Sequence, residues 1–574
     1  MANKTYFKAT EFTNVKDLLI DAAKRFPDKN AFIIKNHNEK DEDKRYTNIT
    51  YTKMIDDIYA FGTALFNAGY KGKRIAIIGK NRYEWALTHF TNLFGGIVSV
   101  PLDKDLQFVE FEQSVRRAKV DAIVFDPKCI ELIEQLKKDN QTTAKEFICM
   151  DKLDGYQDIS SYITKGKELL KKGQQDFKNF KVDPDVMNIL LFTSGTSAQS
   201  KAVMLSQRNI ASNVYALQLV EPLFEGLVTI AFLPFHHVFG STCLVVMIAN
   251  GIKVSFPDGI RYIAQNLKEY KVSMFVGVPI LVEAIYKNIK KEIKKQDKEK
   301  MVNTARKVSN VLLKFKIDLR RKLFASIHKP LGGELRYIIA GGAALDKEVT
   351  EFFNSIGIRV LQGYGLTETA PVIAAEDYKV IKPGSVGRAM TGVTVEIVDK
   401  DENGIGEVRA KGPNIMLGYY EDPERTAEVL KNGWFHTGDL GFFDKDGTLV
   451  LTGRKKDMIV LKNGKKIFPE EIEVILNRLD IVEESFVFGM PKDDGDLKLT
   501  AKIVYNKDVV EKEYSGKSEE ELREIVWDMI KEVNKSFPTY KYIKDLILTD
   551  EELIKTTTKK IKRPEEMKKI LAEG

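Results

Sequence analysis

Cysteine is scarce in this chain of 574 residues: Cys129, Cys149 and Cys243 stand apart in apolar surroundings. That number and spacing exclude a disulfide framework and a cysteine-rich zinc site, and they predict buried free thiols in a reducing compartment. Long apolar runs are missing as well. No stretch approaches the roughly 20 residues that a membrane-spanning helix needs, and the longest candidate, around 243–249, stops at Asn250-Gly251. The opening MANKTYFKATEF lacks the apolar core of a secretory signal, so a cytoplasmic location is expected. Charge of one sign is nearly cancelled by the other. The 89 basic and 82 acidic residues leave a net charge of +7, too mild on this length for a nucleic-acid binder. No repeat of 20–50 residues appears, which excludes solenoids and propellers.

What is present is an ordinary globular balance on a chain too long for one core, so two or more domains are expected. From about Leu65 to Phe125, short apolar runs alternate with helical patterns: KRIAIIGK, then NRYEWALTHFTNLFGG, then IVSVPLD, and later KVDAIVFD. Strands interleaved with helices at this spacing predict a mostly parallel sheet covered on both faces. The same grammar returns in Leu335 to Thr369. Between them, 285–324 is strongly basic, with Ile285, Ile289 and Ile293 recurring every four residues on one helical face. This is either a solvated helical insertion packed by that stripe or a peripheral docking surface for anionic lipid headgroups. From Ser385 to Leu451 the texture changes to short β segments with glycine turns, a small β-barrel-like part. A compact α+β unit follows, with a helix from Pro469 to Arg478, strands near Ser485 and Thr500, and an amphipathic helix from Glu519 to Val533. The expected boundary is GRKKD, Gly453 to Asp457, giving domains 1–455 and 456–574.

The stretch LFTSGTSAQSKAVMLS, Leu191 to Ser206, ends an apolar run in hydroxyls, one glycine and a lysine. A strand followed by such a loop can wrap a polyphosphate with backbone N–H groups and side-chain hydroxyls. It is not a Walker A loop, because Ser200 stands where the second glycine would be and Ala202 where the metal-binding Ser/Thr would be. Taken alone, it could equally be a Ser/Thr-rich surface turn.

Six further segments accompany it in order: LPFHHVFG, LRYIIAGGAAL, LQGYGLTET, WFHTGDLG, GRKKDMIVLKNGKKIFPEEIE and IKTTTKKIKR. Together the seven resemble the adenylate-forming, AMP-binding superfamily of acyl-CoA synthetases, firefly luciferase and peptide-synthetase adenylation domains. The resemblance runs from about Lys73 to Arg563, and the N-terminal half with the basic insertion looks like bacterial long-chain fatty-acyl-CoA synthetases. It implies a large α/β N-terminal domain of mixed, mostly parallel sheets layered with helices, and a small mobile α+β C-terminal domain. It also implies two chemical steps. A fatty-acid carboxylate attacks the α-phosphorus of ATP to give acyl-AMP and pyrophosphate, and the thiol of CoA then displaces AMP.

The resemblance carries roles onto residues one by one. Thr193, Ser194, Gly195, Thr196, Ser197 and Lys201 would hold the β- and γ-phosphates. Glu368, which by itself looks like any loop carboxylate, would bind Mg²⁺ with help from Thr193, and Thr367 would contact the α-phosphate. Tyr364, followed by Gly365, offers a flat face for adenine, and Gly341-Gly342 lets the backbone approach the ring. Asp439 would accept the ribose hydroxyls, and Arg454 would reach the same sugar. Lys560 would neutralise the α-phosphate and the substrate carboxylate during adenylation; without its K-T-x-T-x-K-I-x-R setting it would be a solvated tail lysine. His237 matches an aromatic gate between the acyl and thiol channels, while His236 is either part of it or a core histidine. Lys456 matches the hinge about which the C-terminal domain turns between the two steps, though any polar linker looks the same. The chain departs from the family pattern at Ala198, Ser200 and Ala202, where Gly, Pro and Gly are usual, and at Lys559, where Gly is usual. Three rivals stand beside the leading reading: a ligase using an acyl-carrier protein or an aryl acid, a nucleotide-binding pseudoenzyme, and a membrane-docked scaffold.

Overall fold

The computed structural model describes residues 4–573 apart from 38, 42–43, 140–141, 194–199, 493–494 and 557–559. These fall into two compact units, one of residues up to 395 together with 410–435, the other of 396–409 together with 436–573. The change of unit at 435/436 lies ahead of the GRKKD segment at which composition places the domain boundary.

The first unit is built on two sheets. One orders the strands Arg388–Ala389, Val372–Ala375, Arg359–Gly365, Tyr337–Gly341, Met274–Gly277, Val228–Ile230, Lys253–Ser255, Asn30–Lys35 and Tyr46–Thr50. Its six central strands run parallel and its edges antiparallel. The other orders Gly418–Tyr419, Lys201–Ser206, Met187–Thr193, Val98–Leu102, Arg74–Ile78, Ala122–Phe125, Glu146–Cys149 and Gln157–Asp158, parallel from Met187–Thr193 onward. The alternating runs KRIAIIGK, IVSVPLD and KVDAIVFD form three of these parallel strands, as their spacing predicts.

Helix Tyr83–Phe94 is buried almost all round, and Val238–Ala249 likewise. A helix apolar on every side belongs inside a layered protein, and both sit in one apolar core shared by the two sheets, with Trp85, Phe90, Phe94 and Met247 in its centre. The outer faces are covered separately. Phe111, Val115, Ile133 and Leu136 pack on the second sheet, and Val282, Ile285, Ile293, Phe352 and Phe353 on the first. Ile285 and Ile293 are therefore core, with Ile289 packed against them, as the four-residue stripe predicts. The basic segment opens with two helices, Pro279–Lys295 and Glu299–Lys314, broken at Gln296-Asp297-Lys298, where Asp297 has a positive φ of 51°, and ends in the short helix Arg320–Leu323.

The three thiols form no disulfide. Burial pushes Cys129 and Cys243 up to about 12 and raises Cys149, so these are inert packing groups. Among the described residues no helix is long and apolar enough to cross a membrane.

The second unit takes up strand Trp434–Phe443 from His436 onward, and its residues 439–443 pair antiparallel with Leu449–Arg454. Farther along, Val482–Pro491, Leu497–Tyr505 and Asp545–Thr549 form a three-stranded sheet. Helices Pro469–Leu476 and Glu519–Asn534 contribute Ile472, Leu476, Leu522, Val526 and Ile530 to a core with Val487, Ala501 and Ile503. The longer helix starts in a capping box, Ser518 and Glu521 each bonding the other's backbone N–H.

One close approach sets the packing of the N-terminal layer. A Cβ on Gly166, in helix Ile159–Lys171, would lie 1.8 Å from the carbonyl oxygen of Ala60 in helix Tyr51–Asn67. Gly166→Ala must push the helices apart and is expected to destabilise the unit by about 1–3 kcal/mol. Thermal denaturation read by circular dichroism checks this; an unchanged midpoint would mean that the two helices do not meet there.

Candidate functional site

The hydroxyl-rich loop closes a hairpin. Its first strand, Met187–Thr193, and its second, Lys201–Ser206, put Thr193 and Lys201 opposite each other. Ser194, Gly195, Thr196, Ser197 and Ala198 lie outside the described residues, but the frame that carries them is plain. Arg117, from helix Phe108–Arg117, donates to the carbonyl oxygen of Ser200 and braces the second strand.

Glu368 stands in a short turn, Thr367–Thr369, just after strand Arg359–Gly365. Two asparagines hold that turn. Asn213 donates to the Thr369 carbonyl at 3.2 Å and accepts from Val372 N–H at 2.9 Å. Asn414 donates to the carbonyls of Thr369 and Val372 at 3.1 and 3.0 Å. The chain doubles back so tightly that a Cβ on Gly365 would sit 1.7 Å from the Pro371 carbonyl oxygen, which is why glycine follows Tyr364. Helix Gln207–Val220 also sends Asn209 to the carbonyls of Pro413 and Ile415, at 2.7 and 2.9 Å. One helix thereby aligns both segments that carry the site.

Tyr419 joins these parts. Its hydroxyl donates to Glu368 Oε1 at 2.8 Å and accepts from Lys201 Nζ at 3.3 Å, and the same ammonium lies 4.9 Å from the ring centre. Burial first, and the Glu368 carboxylate second, raise the Tyr419 pKa, so the hydroxyl stays a donor. Glu368 is only 9% exposed, and an ionised carboxylate that far out of water needs such partners. Thr193, Lys201, Thr367 and Glu368 are thus linked within one unit, across two sheets. Tyr419 itself is invisible to motif reading, because a tyrosine in MLGYYED has no spacing that reports a partner 218 residues away.

Gly341 and Gly363 are register partners on adjacent parallel strands, so Gly341-Gly342 and Tyr364-Gly365 emerge side by side at the carboxyl ends of those strands. In open α/β sheets that rim is where ligands bind. The PFHH segment is fixed by Asn81, whose side chain donates to the carbonyls of Ala231 and Leu233 and accepts from Phe235 N–H, at 2.7–2.9 Å. His237 occupies the N-cap of helix Val238–Ala249 without a side-chain capping bond. His236 Nε2 lies 3.3 Å from Asp103 Oδ2, both largely buried, and its ring is 4.2 Å from that of His237. Asp103 is a second residue that the motifs do not mark. Beside this segment runs a narrow apolar crevice lined by Phe232, Leu233, Phe235, Leu244, Met247 and Val276.

In the second unit, Asp439 and Arg454 are register partners, and Arg454 Nε meets Asp439 Oδ1 at 2.9 Å. Asp439 is buried and Arg454 is partly exposed. Glu407 steadies the next residues by accepting from Gly438 N–H at 3.2 Å and pairing with Lys455 at 3.2 Å. Lys456 is exposed in the turn closed by Asp457 N–H to the Arg454 carbonyl, at 3.1 Å.

Lys560 is exposed near the end of a small hairpin, with Thr556 N–H bonded to its carbonyl at 2.8 Å and its own N–H to Thr556 Oγ1 at 3.2 Å. Lys559 lies outside the described residues. The hairpin is anchored by buried charge: Glu566 pairs with Lys502 at 2.7 Å and accepts from Ile554 N–H at 2.9 Å. Glu484 pairs with Lys555 and accepts from Leu553 N–H at 3.2 Å. Arg563 pairs with Glu473 and donates to the Val487 carbonyl. Burial pushes Glu473 up to about 7, against the pull of Arg563.

Among the described residues no three His, Cys, Asp or Glu side chains could hold a metal by themselves. Glu368 and Thr193 do offer oxygen donors of the kind magnesium takes when phosphate oxygens and water complete its shell.

Comparison with known proteins bears on these arrangements. Residues 19–420 match the AMP-binding enzyme family, and residues 456–571 match the AMP-binding enzyme C-terminal domain. Long-chain-fatty-acid–CoA ligase 5 of Rattus norvegicus is 32% identical over 475 residues, covering 77% of this chain and 69% of that protein. The chloroplastic long-chain-fatty-acid–acyl-carrier-protein ligase AEE15 of Arabidopsis thaliana is 26% identical, covering 91% of this chain and 80% of that protein. The anthranilate CoA ligase AuaEII in complex with anthranoyl-AMP shares the fold with a TM-score of 0.76 at 20% identity, covering 99% of each chain.

The bridging hydroxyl can be removed without changing shape. Tyr419→Phe leaves the ring and takes away the donor to a buried charged carboxylate, a bond worth roughly 1.5–3 kcal/mol. We expect acid-dependent ATP–pyrophosphate exchange to fall at least about tenfold while far-UV circular dichroism stays native. Undiminished exchange would show that the Lys201–Tyr419–Glu368 link does not serve the nucleotide.

Proposed function

The chain belongs to the AMP-binding, adenylate-forming superfamily, an ATP-dependent acid–thiol ligase in its chemistry, and on that premise we propose that it activates a long-chain fatty acid and transfers it to CoA. The observation that carries the choice of acid and thiol is the 32% identity to the rat long-chain-fatty-acid–CoA ligase over most of both chains.

In the first step a carboxylate oxygen attacks the α-phosphorus, the bond from that phosphorus to the bridging oxygen breaks, and pyrophosphate leaves. Lys201 and the hydroxyls from Thr193 to Ser197 neutralise and hold the departing pyrophosphate, and Thr367 donates to the α-phosphate. Glu368 and Thr193 would hold a magnesium ion, which when bound would supply Lewis-acid stabilisation of the phosphate oxygens. Tyr419 holds Glu368 and Lys201 at a fixed separation while charge moves past them. Tyr364 and the glycines at 341, 342 and 365 receive the adenine, and Asp439 with Arg454 takes the ribose. Lys560 brings an ammonium to the α-phosphate and the attacking carboxylate, whose mutual repulsion otherwise opposes the displacement.

In the second step the thiolate attacks the acyl carbon and the bond to the AMP oxygen breaks. Lys456 serves as the hinge of a mobile domain, 456–574, whose turn withdraws Lys560, and His237 gates the thiol's path. The whole reaction is expected in the cytoplasm. Similarity to the chloroplastic acyl-carrier-protein ligase over 91% of this chain favours a second reading, in which the thiol is that of a carrier protein.

AMP release with fatty acids of graded length, with and without CoA or carrier protein, decides between them. We expect activity that requires Mg²⁺, rises with chain length and needs CoA for thioester formation. Activity only with aryl acids, or no pyrophosphate exchange with any acid, would overturn the proposal. Lys560→Ala should reduce adenylation by about 10² or more and leave thioester formation from preformed acyl-AMP largely intact. Lys456→Pro should do the reverse; equal losses in both half-reactions would remove the hinge role.

A further inference from the structure

Helix Glu299–Lys314 has two apolar faces, and only one is used. Val302 is buried in the core beneath the first sheet, with Ala305 packed against it. Arg306 donates to Ser355 Oγ at 2.6 Å, and its guanidinium lies 5.2 Å from the Phe352 ring centre. These residues turn one side of the helix inward. On another side, Met301, Thr304, Val308, Val311 and Phe315 follow one another at intervals of three and four, which places them within an arc of about 80°. All five are exposed: Met301 by 59%, Val308 by 49%, Val311 by 52% and Phe315 by 72%. The apolar surface continues past the helix end through Ile317, Leu319 and Leu323, each more than a third exposed.

Lysine accompanies this stripe. Lys300, Lys307 and Lys314 recur every seven residues and line its edge, within an arc of about 40°. The whole segment 285–324 holds fourteen lysines and arginines against four acidic residues, a surplus of ten. The complete chain has a surplus of seven, so everything outside this segment carries a net charge of −3. The protein's excess positive charge is therefore concentrated in the segment that carries this apolar strip, with Lys300, Lys307 and Lys314 beside the strip itself.

We propose that this strip is a docking surface for an anionic lipid bilayer, on which helix Glu299–Lys314 lies in the plane of the headgroups. Met301, Val308, Val311 and Phe315 would enter the acyl boundary, and Lys300, Lys307 and Lys314 would meet the phosphates. A helix of 16 residues is about 24 Å long, enough to lie in the interface and too short and too charged to cross it. Charge weighs against a second copy of this chain as occupant, since a two-fold contact through the strip would bring Lys300, Lys307 and Lys314 of both copies face to face. The inference does not depend on which acid or thiol the enzyme uses, because docking needs neither ATP nor acid.

The test is co-sedimentation of the full chain with vesicles of phosphatidylcholine alone and of phosphatidylcholine mixed with phosphatidylglycerol. Binding is expected to the mixed vesicles only and to weaken as salt is raised from about 0.1 to 1 M, where the Debye length falls from ~10 to ~3 Å. Replacing Lys300, Lys307 and Lys314 by Gln should weaken partition on the order of a hundredfold, at about fivefold per lysine. Phe315→Ser with Val308→Ser should weaken it separately, while pyrophosphate exchange and the melting temperature remain those of the parent chain. Equal binding to both vesicle types, no binding to either, or undiminished binding by both variants would overturn the proposal. So would a concentration-dependent dimer in sedimentation velocity that Phe315→Ser abolishes, since the strip would then belong to a second copy.

Discussion

A carboxylate held almost wholly out of water, with a tyrosine hydroxyl between it and a lysine, is the constraint around which the first unit is organised. Glu368 cannot be both buried and ionised without donors close by, and Tyr419 supplies one. That single hydroxyl comes from a short edge strand, Gly418–Tyr419, paired to the hairpin through Val203 and Met204. The carboxylate comes from a turn at the end of the other sheet. The site is therefore specified by how two sheets meet, and the meeting is enforced by Asn209, Asn213 and Asn414, all reaching backbone carbonyls. Asparagine suits this work because it offers a donor pair and an acceptor in one plane and has no charge to desolvate.

The second unit solves its own version of the problem with charge. The hairpin carrying Lys560 packs Leu553 and Ile561 against Phe486, Phe488 and Ile570, and its position is further fixed by Glu566, Glu484 and the Arg563–Glu473 pair. Removing one member of such a buried pair leaves its partner stranded, which costs more than the pair itself contributes. The described part of the lysine-rich tail, which composition alone presents as solvated, is for this reason anchored on both sides of its turn. Its cationic residues divide into anchors, such as Lys555 and Arg563, and the exposed Lys560.

Much of this is legible in the amino-acid sequence. The alternation of KRIAIIGK with NRYEWALTHFTNLFGG announces a parallel layer because strand and helix periods differ, and the strands and helix appear where the periods change. Glu368, Asp439 and Lys201 stand out through the resemblance alone, which assigns each a metal, ribose or phosphate contact; by local pattern Glu368 is one more loop carboxylate. Tyr419, Asp103, Asn81 and the three asparagines are not, because their meaning lies in partners tens to hundreds of residues away and no local period encodes that. The break at Gln296-Asp297-Lys298 also escaped, since the lysine-rich pattern is continuous across it and only the backbone turn at Asp297 reveals two helices.

That break changes what the basic segment can do. In a single continuous helix, the Ile285–Ile289–Ile293 stripe would dictate which side of the later residues faces inward. With a turn between them, the second helix is free to take its own rotation, set by Val302, Arg306 and the Phe352–Ser355 edge. The consequence is that Met301, Val308 and Phe315 point away from the core that the first stripe serves. Apolar side chains left on a surface in register with lysines are neither a folding requirement nor a by-product of solvation, since polar residues at those positions would satisfy both. Their retention on the most cationic part of the chain is what a lipid-facing surface requires: apolar contact for the acyl boundary and positive charge for the headgroups, each supplied by the same helix.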